Sequence, residues 1–134
     1  LSAAPVGTFR YTSLGFALLN VPLDVCRVVQ RMAEGLAEPR VTYRYVSLRK
    51  GEALGNLGWH CDGQQKETEI HRLLCIGPEG TMGEGDVLLQ SGMVWEYDGH
   101  YSHRPIRASQ DTMRFLLRVS QTKMPVRNFW SVGS

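Results

Sequence analysis

The sequence is poor in thiols. Its three cysteines, Cys26, Cys61 and Cys75, are widely spaced and form no CxxC pair, which excludes the usual structural zinc site and a redox dithiol. An odd, scattered set suits a reducing compartment, so a cytoplasmic location is expected. Long hydrophobic runs are also lacking. No stretch approaches the roughly 18 apolar residues of a membrane span, and Leu1 to Arg10 lacks the basic, apolar, then small order of a secretory signal. No membrane partner is expected. Charge of one sign is scarce: 15 Lys and Arg face 13 Asp and Glu, a formal surplus of +2. That balance signals no dedicated nucleic-acid surface. The denser basic stretches, Arg40, Arg44, Arg49 and Lys50, then Arg104, Arg107, Arg114 and Arg118, would solvate a surface or give a basic mouth that favours an anionic substrate. The glycines between Gly77 and Gly85 come with neither a P-loop lysine nor a dinucleotide fingerprint. Ser102 and His103 fall on opposite sides of an extended strand, so no nucleophilic triad is supported.

What the sequence does contain is aromatic and aliphatic area sufficient for one sizeable core over 134 residues. One domain is expected over 1–134, either whole or as a fragment of a longer chain that begins here with Leu. Gly15 to Val21 is apolar and should pack. Pro22 and Asp24 can open a helix carrying Cys26, Val29, Met32, Ala33, Leu36 and Ala37 at helical spacing, with Pro39 ending it. From Val41 to Leu48 the period changes to two, with Tyr43 and Tyr45 on one face. Further strands are expected over Glu69 to Ile76, Val87 to Gln90, Val94 to Tyr97 and Met113 to Val119. Fourteen glycines between short β-like runs favour a sandwich or barrel over a helical bundle.

The sharpest local signal is Trp59-His60-Cys61-Asp62-Gly63. A strand alternates its side chains, so His60 and Asp62 share a face and can share a metal, while Cys61 points away and packs. A distant histidine would complete a facial two-His, one-carboxylate set that leaves three positions open on Fe(II). Tyr97 to Pro105 supplies two candidates. His103 adjoins an extended segment and is preferred; His100 directly follows Gly99 and belongs to a turn. Alternation alone does not decide between them.

With these residues the chain resembles the Fe(II)/2-oxoglutarate-dependent oxygenase superfamily, whose members combine HxD, a distant His and an Arg about ten residues later. The resemblance runs from about Tyr43 to Val119. It implies a mainly β fold with an N-terminal helix, a compact double-stranded β-helix of jelly-roll or cupin-like type. It implies Fe(II) on His60, Asp62 and His103, and 2-oxoglutarate as cosubstrate on Arg114. A guanidinium suits that role because it grips a carboxylate with two charge-assisted hydrogen bonds. Arg118 shares the parity of Arg114 and is the alternative clamp, with Arg107 a third. Tyr45 is expected beside the cosubstrate, and Trp59, Trp95 and Tyr97 are candidate pocket walls. The implied activity is a dioxygenase that hydroxylates or oxidatively demethylates a small molecule, a protein or a modified nucleic acid. The competing expectation is a cupin-like metal-binding, assembly or regulatory module that recruits Glu67, Glu69 or His71 in place of His103. A second copy covering a sheet edge would make a homo-oligomer.

Overall fold

The structure is a computed structural model and describes residues 4–55 and 57–131. In chain order the elements are β1 (Gly7–Ser13), α1 (Leu14–Asn20), α2 (Leu23–Met32), β2 (Arg40–Leu48), β3 (Ile70–Ile76), β4 (Thr81–Gly83), β5 (Val87–Leu89), β6 (Val94–Tyr97), β7 (His103–Pro105) and β8 (Thr112–Gln121). They form an antiparallel sheet ordered β1-β2-β8-β3-β6 and a second sheet ordered β5-β4-β7. An isolated bridge between His60 and His103 adds the HxD segment beside β7. The chain thus alternates between a large sheet carrying β2, β8, β3 and β6 and a small one carrying the His60 segment, β7, β4 and β5. This is a cupin-like jelly roll, the double-stranded β-helix. No helix among the described residues is long and apolar enough to cross a membrane.

The long strands arise where β-branched and aromatic residues alternate. β2 and β8 pair continuously from Arg40↔Ser120 to Leu48↔Thr112. Alternation then sorts their side chains. Val41, Tyr43, Tyr45, Phe115, Leu117 and Val119 turn to one face, where the helices pack through Ala17, Val25, Val29 and Met32. Phe9 stacks on Tyr43 with centroids 5.1 Å apart, and Phe115 meets the same ring edge-on at 5.5 Å. Each such fully buried aromatic contributes about 1.5–3 kcal/mol. The opposite parity, Arg44, Val46, Arg114, Leu116 and Arg118, faces the small sheet. There β3 contributes His71, Leu73 and Cys75, opposite Ser120, Arg118 and Leu116 respectively. The space between the sheets is therefore lined by cations as well as aliphatics.

The helical region departs from expectation in two ways. The apolar stretch before Pro22 is itself a helix, α1, whose first turn is capped by the Ser13 hydroxyl accepting the Phe16 N–H at 3.1 Å. The next helix, α2, ends at Met32 rather than running to Pro39. Gly35, at φ +78°, reverses the chain there, a conformation glycine adopts at little cost. Ala33 and Leu36 still pack on the core, so their apolar spacing reflects burial without a continuous helix. β1 was not anticipated. It pairs with β2 and carries an irregularity between Phe9 and Thr12, with Tyr11 at φ +51°.

Candidate metal centre

His60 and Asp62 stand two residues apart on the extended segment that pairs with β7, and His103 opens β7. Reciprocal backbone hydrogen bonds of 2.9 Å join His60 and His103, which places the two rings side by side with centroids 4.6 Å apart. One ligand atom from each of His60, Asp62 and His103 lies within 4.8 Å of the other two. The closest approach is His103 Nε2 to Asp62 Oδ2 at 3.1 Å, and His60 Nε2 lies 3.8 Å from Asp62 Oδ1. Ligands about 2.1 Å from one metal and at right angles are separated by about 3 Å, a spacing that His103 and Asp62 already have and that His60 would reach by moving inward.

The tautomers fit the same purpose. His60 Nδ1 is 3.0 Å from the Gly58 carbonyl and His103 Nδ1 is 3.2 Å from the Tyr101 carbonyl. A carbonyl only accepts, so each Nδ1 carries a proton, and Nε2 is left as the atom of each ring that faces Asp62, donating to the carboxylate while protonated and offering its lone pair to a metal once that proton leaves. Two imidazole Nε2 atoms and a carboxylate converging where Asp62 and His103 are buried and His60 is half-buried can together hold a cation. Two nitrogens and one oxygen make a donor set of the kind that divalent transition metals take.

Asp62 is held by residues from three other strands. The Tyr97 hydroxyl donates to Oδ2 at 2.6 Å, and Arg118 Nη1 lies 3.0 Å from Oδ1. Burial would push the Asp62 carboxyl up, but Arg118, His103 and Tyr97 outweigh it and keep the group well below the usual carboxylate range. Burial and the Asp62 charge hold the Tyr97 hydroxyl protonated, far above an ordinary tyrosine. Arg118 also donates to Thr42 Oγ1 at 3.3 Å and lies over the Tyr11 ring at 5.2 Å. Tyr11, turned inward by the β1 irregularity, accepts the Gly63 N–H at its own hydroxyl, 3.0 Å away. A bulge that re-aims a side chain at a site is a recurrent use of this irregularity.

The loop after Asp62 is pinned from below. Glu69 accepts the backbone N–H of Gln64 at 2.9 Å and of Lys66 at 3.0 Å, together with the Thr122 hydroxyl. Next to it His71, fully buried, bonds Ser120 Oγ through Nδ1 at 2.7 Å. A Cβ at Gly63 would fall 2.5 Å from Glu69 Oε2, so the loop passes where only glycine fits. Glu69 and His71 therefore brace the loop, Glu67 is exposed, and the structure brings none of these three to the triad. His100, exposed in the turn after β6, bonds Asp98 through its backbone and stays outside the site.

The remaining candidates fall at graded distances. Arg114 lies on the interior face, 2% exposed, and lines a partly open cavity of about 60 Å³ together with His60, Leu73, Thr81, His103 and Arg118. Its guanidinium is engaged: Nη2 is 2.5 Å from Glu79 Oε2, and Nη1 donates to the Ile106 carbonyl at 2.7 Å. Arg107 donates to the Gly51 carbonyl at 2.7 Å and does not line that cavity. Tyr45 packs edge-on to Phe115 at 6.0 Å on the helix-covered face, so the structure does not bring it to the cavity. Trp59 is 48% exposed beneath the Arg104 guanidinium. Trp95 is half-buried beside Tyr97 on a separate groove. Tyr11 escapes sequence reasoning because the bulge breaks the alternation that would have flagged it.

The sequence matches no family model and no curated protein. Among solved structures, an RmlC-like cupin protein from Desulfovibrio desulfuricans is similar at TM-score 0.39 and 20% identity, covering 63% of this chain and 73% of that one. Protein NMB1881 from Neisseria meningitidis is similar at TM-score 0.34 and 16% identity, covering 76% of this chain and 98% of that one.

Proposed function

We propose that this protein is a mononuclear non-haem Fe(II) oxygenase that uses 2-oxoglutarate. The observation that carries the reading is the convergence of His60 Nε2, His103 Nε2 and the Asp62 carboxylate, with both imidazole Nδ1 atoms committed to carbonyls. His60, Asp62 and His103 would hold the metal, and Tyr97 and Arg118 keep the carboxylate ionised and aimed. When bound, the iron and its cosubstrate would supply the oxidising power for attack on an unactivated C–H bond. The chain's own contribution is placement. Arg114, which lines the same cavity as the two histidines, would take the distal carboxylate of 2-oxoglutarate, with Glu79 giving up its place on the guanidinium. The buried Nε atoms of Arg114 and Arg118 have no hydrogen-bond partner, which supports a cationic interior suited to an anionic cosubstrate.

A second reading is a cupin-like metal-binding module without oxygenase chemistry. The Glu79 carboxylate already on Arg114 favours it. Anaerobic loading with Fe(II), followed by a turnover assay for succinate, separates the two. Stoichiometric iron with 2-oxoglutarate decarboxylation supports the oxygenase. Stoichiometric iron without 2-oxoglutarate binding selects the module, and failure to take up any divalent metal overturns both.

A further inference from the structure

Next to the Arg114 cavity, and sharing Leu54, His60, Leu116 and Arg118 with it, the protein opens into a cleft of about 280 Å³ that is also lined by Asp62, Arg10, Tyr11 and Arg44. Arg10 and Arg44 come from neighbouring strands, β1 and β2. Neither has an acidic partner within ion-pair distance among the described residues. The Nε of Arg44 is buried with nothing to donate to. Burial, and after it the charge of Arg10, push the Arg44 guanidinium below its ordinary pKa, so the two cations sit together at a cost. Unpaired like charges beside a partly buried donor are unfavourable in the free protein. An arriving anion removes both penalties at once.

The backbone collaborates. The irregularity of β1 places Arg10 and Tyr11 between the paired positions Phe9↔Tyr43 and Thr12↔Val41, opposite Thr42, whose hydroxyl accepts the Tyr11 N–H at 3.2 Å. The positive φ of Tyr11 is a strained conformation for a bulky residue. It is what brings a tyrosine ring under Arg118 and an arginine next to Arg44. Gly55, at φ +68°, lets the turn after Leu54 pass close to Arg44, its ideal Cβ position lying 3.6 Å from Nη1.

We infer that this cleft is the substrate site and that its substrate is a small organic oxyanion, a carboxylate or phosphate monoester, held by Arg44 and Arg10 with the rest of the molecule over the metal triad. The inference rests on the proposed metal centre for where the substrate reacts, but not for the anion contacts themselves. Paired guanidinium contacts suit either oxyanion, and the volume fits one small molecule better than a polymer. The adjoining cavity, which Arg114 lines and Arg10 and Arg44 do not, remains for the cosubstrate.

The test titrates the whole chain with inorganic phosphate and, separately, with acetate, following backbone amide NMR shifts. The expected result is saturable shifts at Arg10, Tyr11, Arg44, Gly55 and Gly63, with the tighter probe identifying which oxyanion the cleft prefers. Arg44→Gln should weaken that probe by about tenfold or more, and exposed Arg10→Gln by a few-fold. Manganese(II) uptake should stay within about twofold of the parent in both variants. The inference is overturned if neither probe shifts these amides, or if Arg44→Gln binds as the parent does. It is also overturned if a single-stranded oligonucleotide occupies the same residues far more tightly than phosphate, since the occupant is then a polymer. Manganese uptake without a cleft response removes this inference and spares the metal centre. A cleft response without manganese uptake does the reverse.

Discussion

Tyr97→Phe removes one oxygen atom from the protein and leaves its ring contacts with His71, Tyr101 and His103 in place. The lost hydroxyl donates to an ionised carboxylate at 2.6 Å from a residue 8% exposed. Hydrogen bonds to charged groups contribute about 1.5–3 kcal/mol, so the metal-free variant should unfold at lower urea with an unchanged slope. For a chain of this size that loss corresponds to roughly 3–5 °C in Tm per kcal/mol. The same hydroxyl fixes the rotation of the Asp62 carboxylate toward the histidines. Loss of such an outer partner lowers metal affinity by about 10–100-fold, or about 1.4–2.8 kcal/mol. Urea denaturation of the metal-free protein and manganese(II) calorimetry measure the two effects separately. A variant that loses stability while keeping parental metal affinity would falsify the assignment of Asp62 as a ligand, because a carboxylate that does not touch the metal is indifferent to its own tilt there.

Arg114→Lys should keep the metal and weaken 2-oxoglutarate by about tenfold to a hundredfold, measured by titrating the iron-loaded protein under anaerobic conditions; unchanged cosubstrate affinity would assign Arg114 to its Glu79 pair alone. Gly63→Ala puts a methyl group against Glu69 Oε2 at a backbone angle of φ +64°, and should cost about 1–3 kcal/mol of stability and most of the metal affinity; near-parental values in both would show that the loop is not held as described. Burial raises the Glu69 carboxyl, but the Gln64 amide, the Thr122 hydroxyl and the Lys66 amide outweigh it and hold its pKa below the ordinary 4.5. A depressed carboxyl contributes stability in full above its unfolded pKa and loses it as pH falls through the lower folded value. Glu69→Gln should therefore narrow the gap in stability between neutral and strongly acidic pH, and an unchanged acid limb in chemical denaturation would remove Glu69 from that role.

The large sheet was legible because its strands are long enough for period two to show. Val41 to Leu48 and Met113 to Val119 are β2 and most of β8, and the HxD parity matches the segment that pairs with β7. The small sheet was less so. β4, β5 and β7 have three residues each, too few for alternation to rise above the surrounding turns. Alternation also says which residues share a face without saying which face is inward: Tyr43 and Tyr45 do share one, and it is the helix-covered one. Alternation did not separate His103 from His100, although the extended segment after His103 favoured it, and it is His103 that the backbone pairing brings beside His60. Arg114 and Arg118 have the same parity, as expected, yet they divide their work: one meets Glu79 and the other Asp62. That division depends on which acidic side chain the fold delivers to each, a long-range fact with no local signature.

Because the two histidines occupy directly paired backbone positions, the spacing of the proposed ligands is also a strand spacing. Any fluctuation that peels the HxD segment from β7 pulls the imidazoles apart, and a metal bound between them resists the peeling. The amides of His60 and His103, which donate to each other's carbonyls, would thus report the occupancy of the centre through their hydrogen-exchange protection, slowing together when metal is added. In kinetic terms the ion would act as a removable cross-link between segments far apart in the chain, and the release rate of the metal would be tied to the opening rate of a few residues of sheet.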